Sequence, residues 1–349
     1  MVLPEGERGF TLQFTKKHIL FLIVVIGIAS FISVYKLPYY IYKPGGADAL
    51  NPIVEVESGY NSEGDMHLVT IRGGQATPIQ YLWAKILPHR EVLPLHQVRP
   101  EGVSEDEYYH AQLQMMESSQ EASTVVAYKA ANEDIDITYN GVFVVSTVEG
   151  MPADGILKPG DRITEIDGQA IQESSDLIDY VKTKEAGETI KATIEREDDQ
   201  LTKTIKLKAF PENDNKAGIG IRLVTDREVE VNPEVNFSSG NIGGPSAGLM
   251  FSLEIYDQLT KTDLTKGYQI AGTGEIDYQG NVLPIGGIKK KVIAAENEGC
   301  DVFFAPNEGG AKDSNYNAAV TAAEEIGTDM EIVPVDTFTD ALDYLEQLR

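Results

Sequence analysis

One end of this chain cannot stand in water alone. The run Ile19–Tyr35, ILFLIVVIGIASFISVY, contains no charged residue. As a helix it spans roughly 25 Å, near the lower limit for crossing a bilayer. Lys16 and Lys17 flank its start. Lys36 and the aromatic group Tyr35, Tyr39, Tyr40 and Tyr42 flank its end, which suits an interfacial belt. Pro38 is expected to stop the helix. No small-x-small cleavage motif follows, so a retained anchor is expected rather than a removed signal peptide. The expectation is a transmembrane helix over 19–37, with residues 1–18 in the cytoplasm. Arg8, Lys16 and Lys17 precede the span and only Lys36 and Lys43 follow it closely, a bias toward that orientation. The chain is thus expected as a single-pass protein of the cell membrane, with residues 45–349 outside the cytoplasm.

The 349 residues allow two or three domains. With 55 acidic against 29 basic residues, the net charge is -26. Such a surface repels phosphates, so no nucleic-acid partner is expected. Cys300 is the single cysteine, which excludes an intrachain disulfide or a CxxC metal site. It precedes the apolar run Asp301-Val302-Phe303-Phe304 and reads as a small buried residue. No metal and no cofactor are expected.

Strand alternation occurs in Ile53–Glu57 and His67–Ile71. Residues 104–131 read as a long helix, with Ser104 and Glu107 as a capping box. A β-rich block follows over 132–208. Its signals are the strand Gly141–Val145, the turns Pro159-Gly160-Asp161 and Asp167-Gly168, and a short helix over Ser174–Lys184. Two alternating strands, Ile190–Ile194 and Lys203–Leu207, are expected to pair across Asp198-Asp199-Gln200.

The chemistry points to Ser246, within Gly243-Gly244-Pro245-Ser246-Ala247-Gly248. A helix is expected over 245–259, and Ser246 at such a start could serve merely as its cap. The glycines argue for more, because they let a substrate approach and leave N–H groups free for an oxyanion. A serine needs a base. The five histidines are His18, His67, His89, His96 and His110, and none lies beyond 110. A Ser-His-Asp arrangement would need one of them to cross to Ser246. The remaining candidates are lysines, in Gly286-Gly287-Ile288-Lys289-Lys290-Lys291. A lysine acts as base only when neutral, and bringing it to about 7–8 takes roughly 3–5 kcal/mol of burial cost. On a helix whose apolar face holds Ile288, Val292 and Ala295, Lys290 points away while Lys289 and Lys291 both border the face. Periodicity leaves those two open.

Two resemblances sharpen this. The strand Gly141–Val144, the stretch Met151–Asp161 and Ile163–Gly168 resemble a PDZ domain. That implies a peptide added to a sheet edge, with its carboxylate held at Tyr139, Asn140, Gly141 and Val142 and the adjoining Phe143. The segments Gly244–Gly248, Ala271–Ile276 and Val282–Lys291 resemble the proteolytic domain of the Lon family. The resemblance implies Ser246 as nucleophile, Lys291 as base, Thr273 as its orienting hydroxyl, and backbone N–H groups at Gly244, Ser246 and Ala247 for the oxyanion. Gly243 departs from the acidic residue that many Lon proteins carry before Gly-Pro-Ser.

Met116–Ala122 and Val125–Tyr128 resemble the helix that precedes the serine segment in Lon domains. The expected class is therefore α+β. It comprises an N-terminal transmembrane helix and a Lon-type α/β domain over 45–131 and 209–349, interrupted by a PDZ domain over 132–208. The whole resembles membrane-anchored, PDZ-containing Lon-like serine proteases. No Gly-x-x-x-x-Gly-Lys-Ser/Thr segment occurs, so ATP-independent cleavage of already extended peptides or small secreted or membrane proteins is expected. The family also implies a homo-oligomer. The alternative is a non-catalytic, peptide-binding scaffold with a Lon-like fold.

Overall fold

The Ser104 hydroxyl accepts the Glu107 N–H at 3.2 Å, and the Ser104 N–H donates to the Glu107 carboxylate at 2.8 Å. This capping box opens the helix Glu105–Ala131 where the sequence places it. The computed structural model describes residues 16–100, 102–197, 199–210 and 216–348. Arg8, most of the expected cytoplasmic segment 1–18, and Asp198 lie outside the described residues. The chain forms two units, one joining Met1–Ala131 to Glu234–Arg349 and one over Asn132–Pro233.

The first unit begins with α1 (Lys16–Val34), β1 (Tyr39–Ala49), β2 (Val54–Val56), β3 (Asp65–Gln75), α2 (Pro78–Ile86), β4 (Glu91–Pro94), the single turn α3 (Leu95–Val98) and α4 (Glu105–Ala131). The second holds β5 (Asp134–Thr147), β6 (Arg162–Ile166), β7 (Gln169–Ala170), α5 (Ser174–Lys182), β8 (Thr189–Arg196), β9 (Asp199–Lys206), β10 (Lys208–Ala209), β11 (Ala217–Gly218) and β12 (Ile221–Asn232). The chain then returns with β13 (Val235–Phe237), α6 (Gly248–Leu259), β14 (Gln269–Gly272), β15 (Glu275–Ile276), β16 (Val282–Leu283), α7 (Ile288–Glu298), β17 (Val302–Pro306), α8 (Asn315–Ile326), β18 (Glu331–Val335) and α9 (Phe338–Gln347).

In the first unit a mixed sheet runs β18-β17-β14-β3-β1-β4. The pairs from β18 to β3 are parallel, and β1 is antiparallel to both β3 and β4. Successive residues of β17 serve opposite faces. Phe303 packs with Val292 and Ala295 of α7 and Ala319 and Ala322 of α8. The Phe304 ring meets Tyr344 of α9 edge-on, at 5.6 Å between centroids. Helices on both faces of a largely parallel sheet make this unit α/β. The α1 helix is long and apolar enough to cross a membrane.

It starts before the expected 19–37 span and ends at Val34, because the Leu37 backbone is recruited elsewhere: its N–H donates to the Ala76 carbonyl at 2.7 Å. Tyr39, Tyr40 and Tyr42, expected in an interfacial belt, lie on β1 and are partly buried in the sheet. The expected strands fall within or over β2 and β3.

The second unit is β-rich, with sheet order β12-β5-β6-β8-β9. Its core joins Val142, Val144, Ile163, Ile166, Leu177 and Ile190 with neighbouring aliphatics. β8 and β9 pair from Thr189↔Lys206 to Arg196↔Asp199. The compact unit takes in residues past 208 up to Pro233, because β12 pairs with β5 from Ile221↔Thr147 to Asn232↔Asp134.

Candidate functional site

Ser246 lies in the loop between β13 and α6, and α4 holds that loop. The Gly244 N–H donates to the Gln112 carbonyl at 2.8 Å, and the Ser119 hydroxyl donates to the Pro245 carbonyl at 2.9 Å. The Ser123 hydroxyl reaches the Gly248 carbonyl at 2.8 Å. Glycine is required where the loop touches the helix. A Cβ at Gly243 would stand 2.8 Å from Gln112 Cβ, and Gly244 has φ +92°. The Gly243 departure thus has a local cause in the approach of α4. The expected helix start at Pro245 is corrected: α6 begins at Gly248, with Ala247 as its N-cap residue and no side-chain cap. Ser246 is not a helix cap, and its side chain turns to another partner.

That partner is Lys291. Its Nζ lies 2.7 Å from Ser246 Oγ and 2.9 Å from Thr273 Oγ1. Thr273 follows β14, and its N–H donates to the Phe304 carbonyl at 3.0 Å, which sets it at the carboxyl end of the parallel strands. The Thr273 hydroxyl donates to the Ser246 carbonyl at 2.9 Å. Its one proton is spent there, so toward Lys291 it can only accept. An amine that gives one N–H to Thr273 keeps its lone pair for the Ser246 hydroxyl proton.

Lys291 is 3% exposed, while Thr273 is fully buried. Burial pushes the Lys291 ammonium down from 10.5 to about 7. Among the described residues no carboxylate pairs with it.

The two neighbouring lysines correct the periodicity argument. Lys290, expected to point away, is buried and paired with Glu91 of β4. Lys289, kept open as a candidate, is the outward one, paired with Glu325 at 3.2 Å. α7 is covered on more than one side, so a single apolar stripe does not describe its buried surface.

The expected oxyanion group needs one correction. The Gly244 N–H is engaged by Gln112, whereas the N–H groups of Ser246 and Ala247 have no acceptor among the described residues. Gln112, Ser119 and Ser123 escaped the sequence reading as loop-holding residues. For Ser119 and Ser123 the signal was a small polar side chain on the long helix; Gln112 acts through its backbone carbonyl and left none. Cys300 is buried, and burial pushes its thiol up to about 12, so it offers no nucleophile. Among the described residues no cluster of metal-ligating side chains occurs.

The PDZ-type residues Tyr139, Asn140, Gly141, Val142 and Phe143 are also corrected. They lie within β5, and β12 pairs with β5 at Tyr139, Gly141, Val142 and Phe143. β6 occupies the other side at Val142 and Phe143. An interior strand cannot accept an added one. The edge strands are β12 and β9; β12 is preceded by Gly218-Ile219-Gly220 and flanked by α5, where the Ser174 N–H donates to Thr225 Oγ1 at 3.0 Å.

Residues 112–207 match the PDZ domain family, and residues 213–347 match the Lon protease C-terminal proteolytic domain. The Lon protease of Campylobacter jejuni is 35% identical over 140 residues, covering 35% of this chain and 16% of its own length. That of Campylobacter concisus is 41% identical over 100 residues, covering 28% of this chain and 11% of its own. The chain therefore spans 16% or less of the length of these relatives. The PDZ domain of an SdrC-like protein from Listeria monocytogenes is 42% identical, with TM-score 0.24, covering 26% of this chain and 93% of that domain.

Proposed function

We propose that this PDZ-containing Lon-like protease is a serine endopeptidase in which Ser246 is the nucleophile and Lys291 the base. Neutral Lys291 takes the Ser246 hydroxyl proton as Oγ attacks the scissile carbonyl carbon. The oxyanion is met by the Ser246 and Ala247 N–H groups. Lysine then protonates the leaving amine, and the C–N bond breaks to leave an acyl ester on Ser246. Water attacks that ester, giving one proton to Lys291; the acyl C–Oγ bond breaks, Lys291 returns that proton to Ser246 Oγ, and the acid product departs. Thr273 keeps the amine aimed throughout.

The observation that carries this reading is the buried, carboxylate-free Lys291 amine 2.7 Å from Ser246 Oγ. A buried lysine with no anion has no structural reason to be there unless its neutral form is used. The wider reading is a membrane-anchored, ATP-independent enzyme acting outside the cytoplasm. It rests on the apolar α1, on the basic residues before it, and on the lack of a phosphate-binding Gly-Lys-Ser/Thr segment in these 349 residues. Substrates are already extended peptides or small proteins, recruited along the open β12 edge of the PDZ unit. A homo-oligomer belongs to the reading by family alone.

The test is cleavage of an unstructured reporter peptide by the full chain in detergent, without ATP, beside Ser246→Ala, Lys291→Ala and Lys289→Ala. Loss in the first two and retention in the third is expected. A parent protein that binds the reporter and never cuts it would replace this reading with the non-catalytic scaffold.

A further inference from the structure

The α2 helix carries an apolar face that the protein does not cover. Its Ala84 is buried, and Tyr81 packs with Ile41, Ala76, Tyr39 and Val92. The opposite positions Ile79, Leu82, Trp83 and Ile86 recur at the spacing of one helical face. Leu82 is 64% exposed, Trp83 52% and Ile86 74%. Four bulky apolar side chains pointing outward from a nine-residue helix demand a partner.

The position of α2 identifies that partner. Its first turn is tied to the exit of α1. The Leu37 N–H donates to the Ala76 carbonyl at 2.7 Å, and Gln75 Nε2 donates to the Leu37 carbonyl at 3.0 Å. Thr77 then caps α2 with a capping box. Along α1 every residue is exposed except Ile32, which is partly covered. Ile32 lines one apolar groove with Pro78, Ile79, Leu82, Trp83 and Ile86. The uncovered face of α2 is thus continuous with the surface that α1 presents to lipid.

Charge agrees. In a chain of net charge -26, the stretch 72–99 carries Arg72, Lys85, Arg90 and Arg99 against the single acid Glu91, which is paired with Lys290. Lys85 Nζ also sits 5.4 Å from the Tyr81 ring centroid, at the flank of the apolar face. An apolar face with tryptophan and a flanking lysine, in a cationic stretch of the chain, is what binds at the headgroup boundary of an anionic membrane.

We propose that α2 is an interfacial helix, inserted by Ile79, Leu82, Trp83 and Ile86 into the lipid surface at the exit of α1. This rests on the reading of α1 as a membrane anchor. It adds a second attachment, which would fix the protease unit against the bilayer rather than leave it on a swivelling stalk.

Trp83 is the only tryptophan of the chain, so its fluorescence reports on α2 alone. The full chain is reconstituted into vesicles of phosphatidylcholine and phosphatidylglycerol, with and without bromines on the acyl chains, and floated on a density gradient. The expected result is co-flotation, several-fold quenching of Trp83 by the brominated lipid, and weak quenching by aqueous acrylamide. Leu82→Ser with Ile86→Ser should still float and lose the lipid quenching. A chain that floats while Trp83 responds to acrylamide and not to bromine overturns the proposal and spares the anchor. A Trp83 shielded from both means that a second copy or a bound peptide covers α2, and overturns it equally. Failure to float overturns both readings. An identical response in vesicles without phosphatidylglycerol removes the anionic preference.

Discussion

In the first unit, Lys291 is buried beside two hydroxyls with no carboxylate among the described residues. In the second, the Arg196 guanidinium grips Asp161 with Nε–Oδ1 at 2.6 Å and Nη2–Oδ2 at 2.7 Å, and Asp161 is 1% exposed. Burial alone would raise the Asp161 carboxyl, yet Arg196 and the Lys158 N–H hold it below the usual range. The Asp161 carboxylate is kept charged by a fork of donors. The Lys291 ammonium meets two hydroxyl oxygens, which leave its charge unopposed. Lowering Lys291 from 10.5 to about 7 corresponds to roughly 5 kcal/mol at about 1.36 kcal/mol per pH unit. The paired charge serves stability, and the unpaired one costs stability, as the proposed role of Lys291 as a base requires.

The sharpest way to break this contrast is Lys291→Arg, which keeps a charge that cannot be given up. Peptide cleavage should fall by about 10³-fold or more, in line with loss of a general base. A variant with near-parental kcat would end the base role.

Next is the opposite sign of two stability changes, read by calorimetry at pH 6. Lys291→Met should stabilise the first unit by about 2–4 kcal/mol while abolishing cleavage, since an uncompensated buried charge is removed. Arg196→Met should lower the melting temperature of the second unit by several degrees, because it strands the Asp161 carboxylate. Equal signs would show that the two sites are not different in kind.

The pH dependence follows the same division. Below about 7, Lys291 is protonated folded and unfolded, and its whole burial cost is present. Between about 7 and 10.5 the unfolded chain binds more protons, so this contribution raises stability as pH rises. The lowered Asp161 has the same slope at lower pH, but as a gain rather than a cost: its stabilisation is full above the usual carboxyl range and is lost as pH falls through its folded value. Activity should track the lysine: kcat/KM should rise about tenfold per pH unit up to about 7 and then level. A flat profile from pH 5 to 8, on either side of about 7, would contradict a titrating amine there.

Smaller still, Thr273→Val removes the oxygen that takes one Lys291 N–H. At about 1.5–3 kcal/mol for such a bond, kcat should drop about 10–100-fold with little change in KM. Smallest is Lys289→Ala, which breaks only the exposed pair with Glu325. It should leave activity unchanged and stability within about 0.5 kcal/mol.

Much of the architecture was legible because its causes are local. The Ser104–Glu107 capping box, the α1 run, the turn glycines of the second unit and the Gly-Pro-Ser-Ala-Gly loop each lie within a few residues of the feature they specify. The errors have a common origin in distant partners. The helical period sent Lys290 outward, yet Glu91 on β4 draws it in. The pattern Gly141–Val145 marks a strand correctly, but whether that strand is an edge depends on β12, which arrives at Ile221. The helix expected from Pro245 starts at Gly248, because Ser119 on α4 and Thr273 after β14 take the Pro245 and Ser246 carbonyls.

By itself the sequence determined the apolar span, the acidic character, the serine loop, and a short list of lysines that could serve it. Only the tertiary structure decided which lysine loses its water, which glycine N–H is already taken, and which strands of the second unit lie at its edges. Local pattern follows from backbone geometry and side-chain spacing along the chain. Desolvation and hydrogen-bond occupancy depend on every element that packs around a group, and those elements come from distant parts of the sequence.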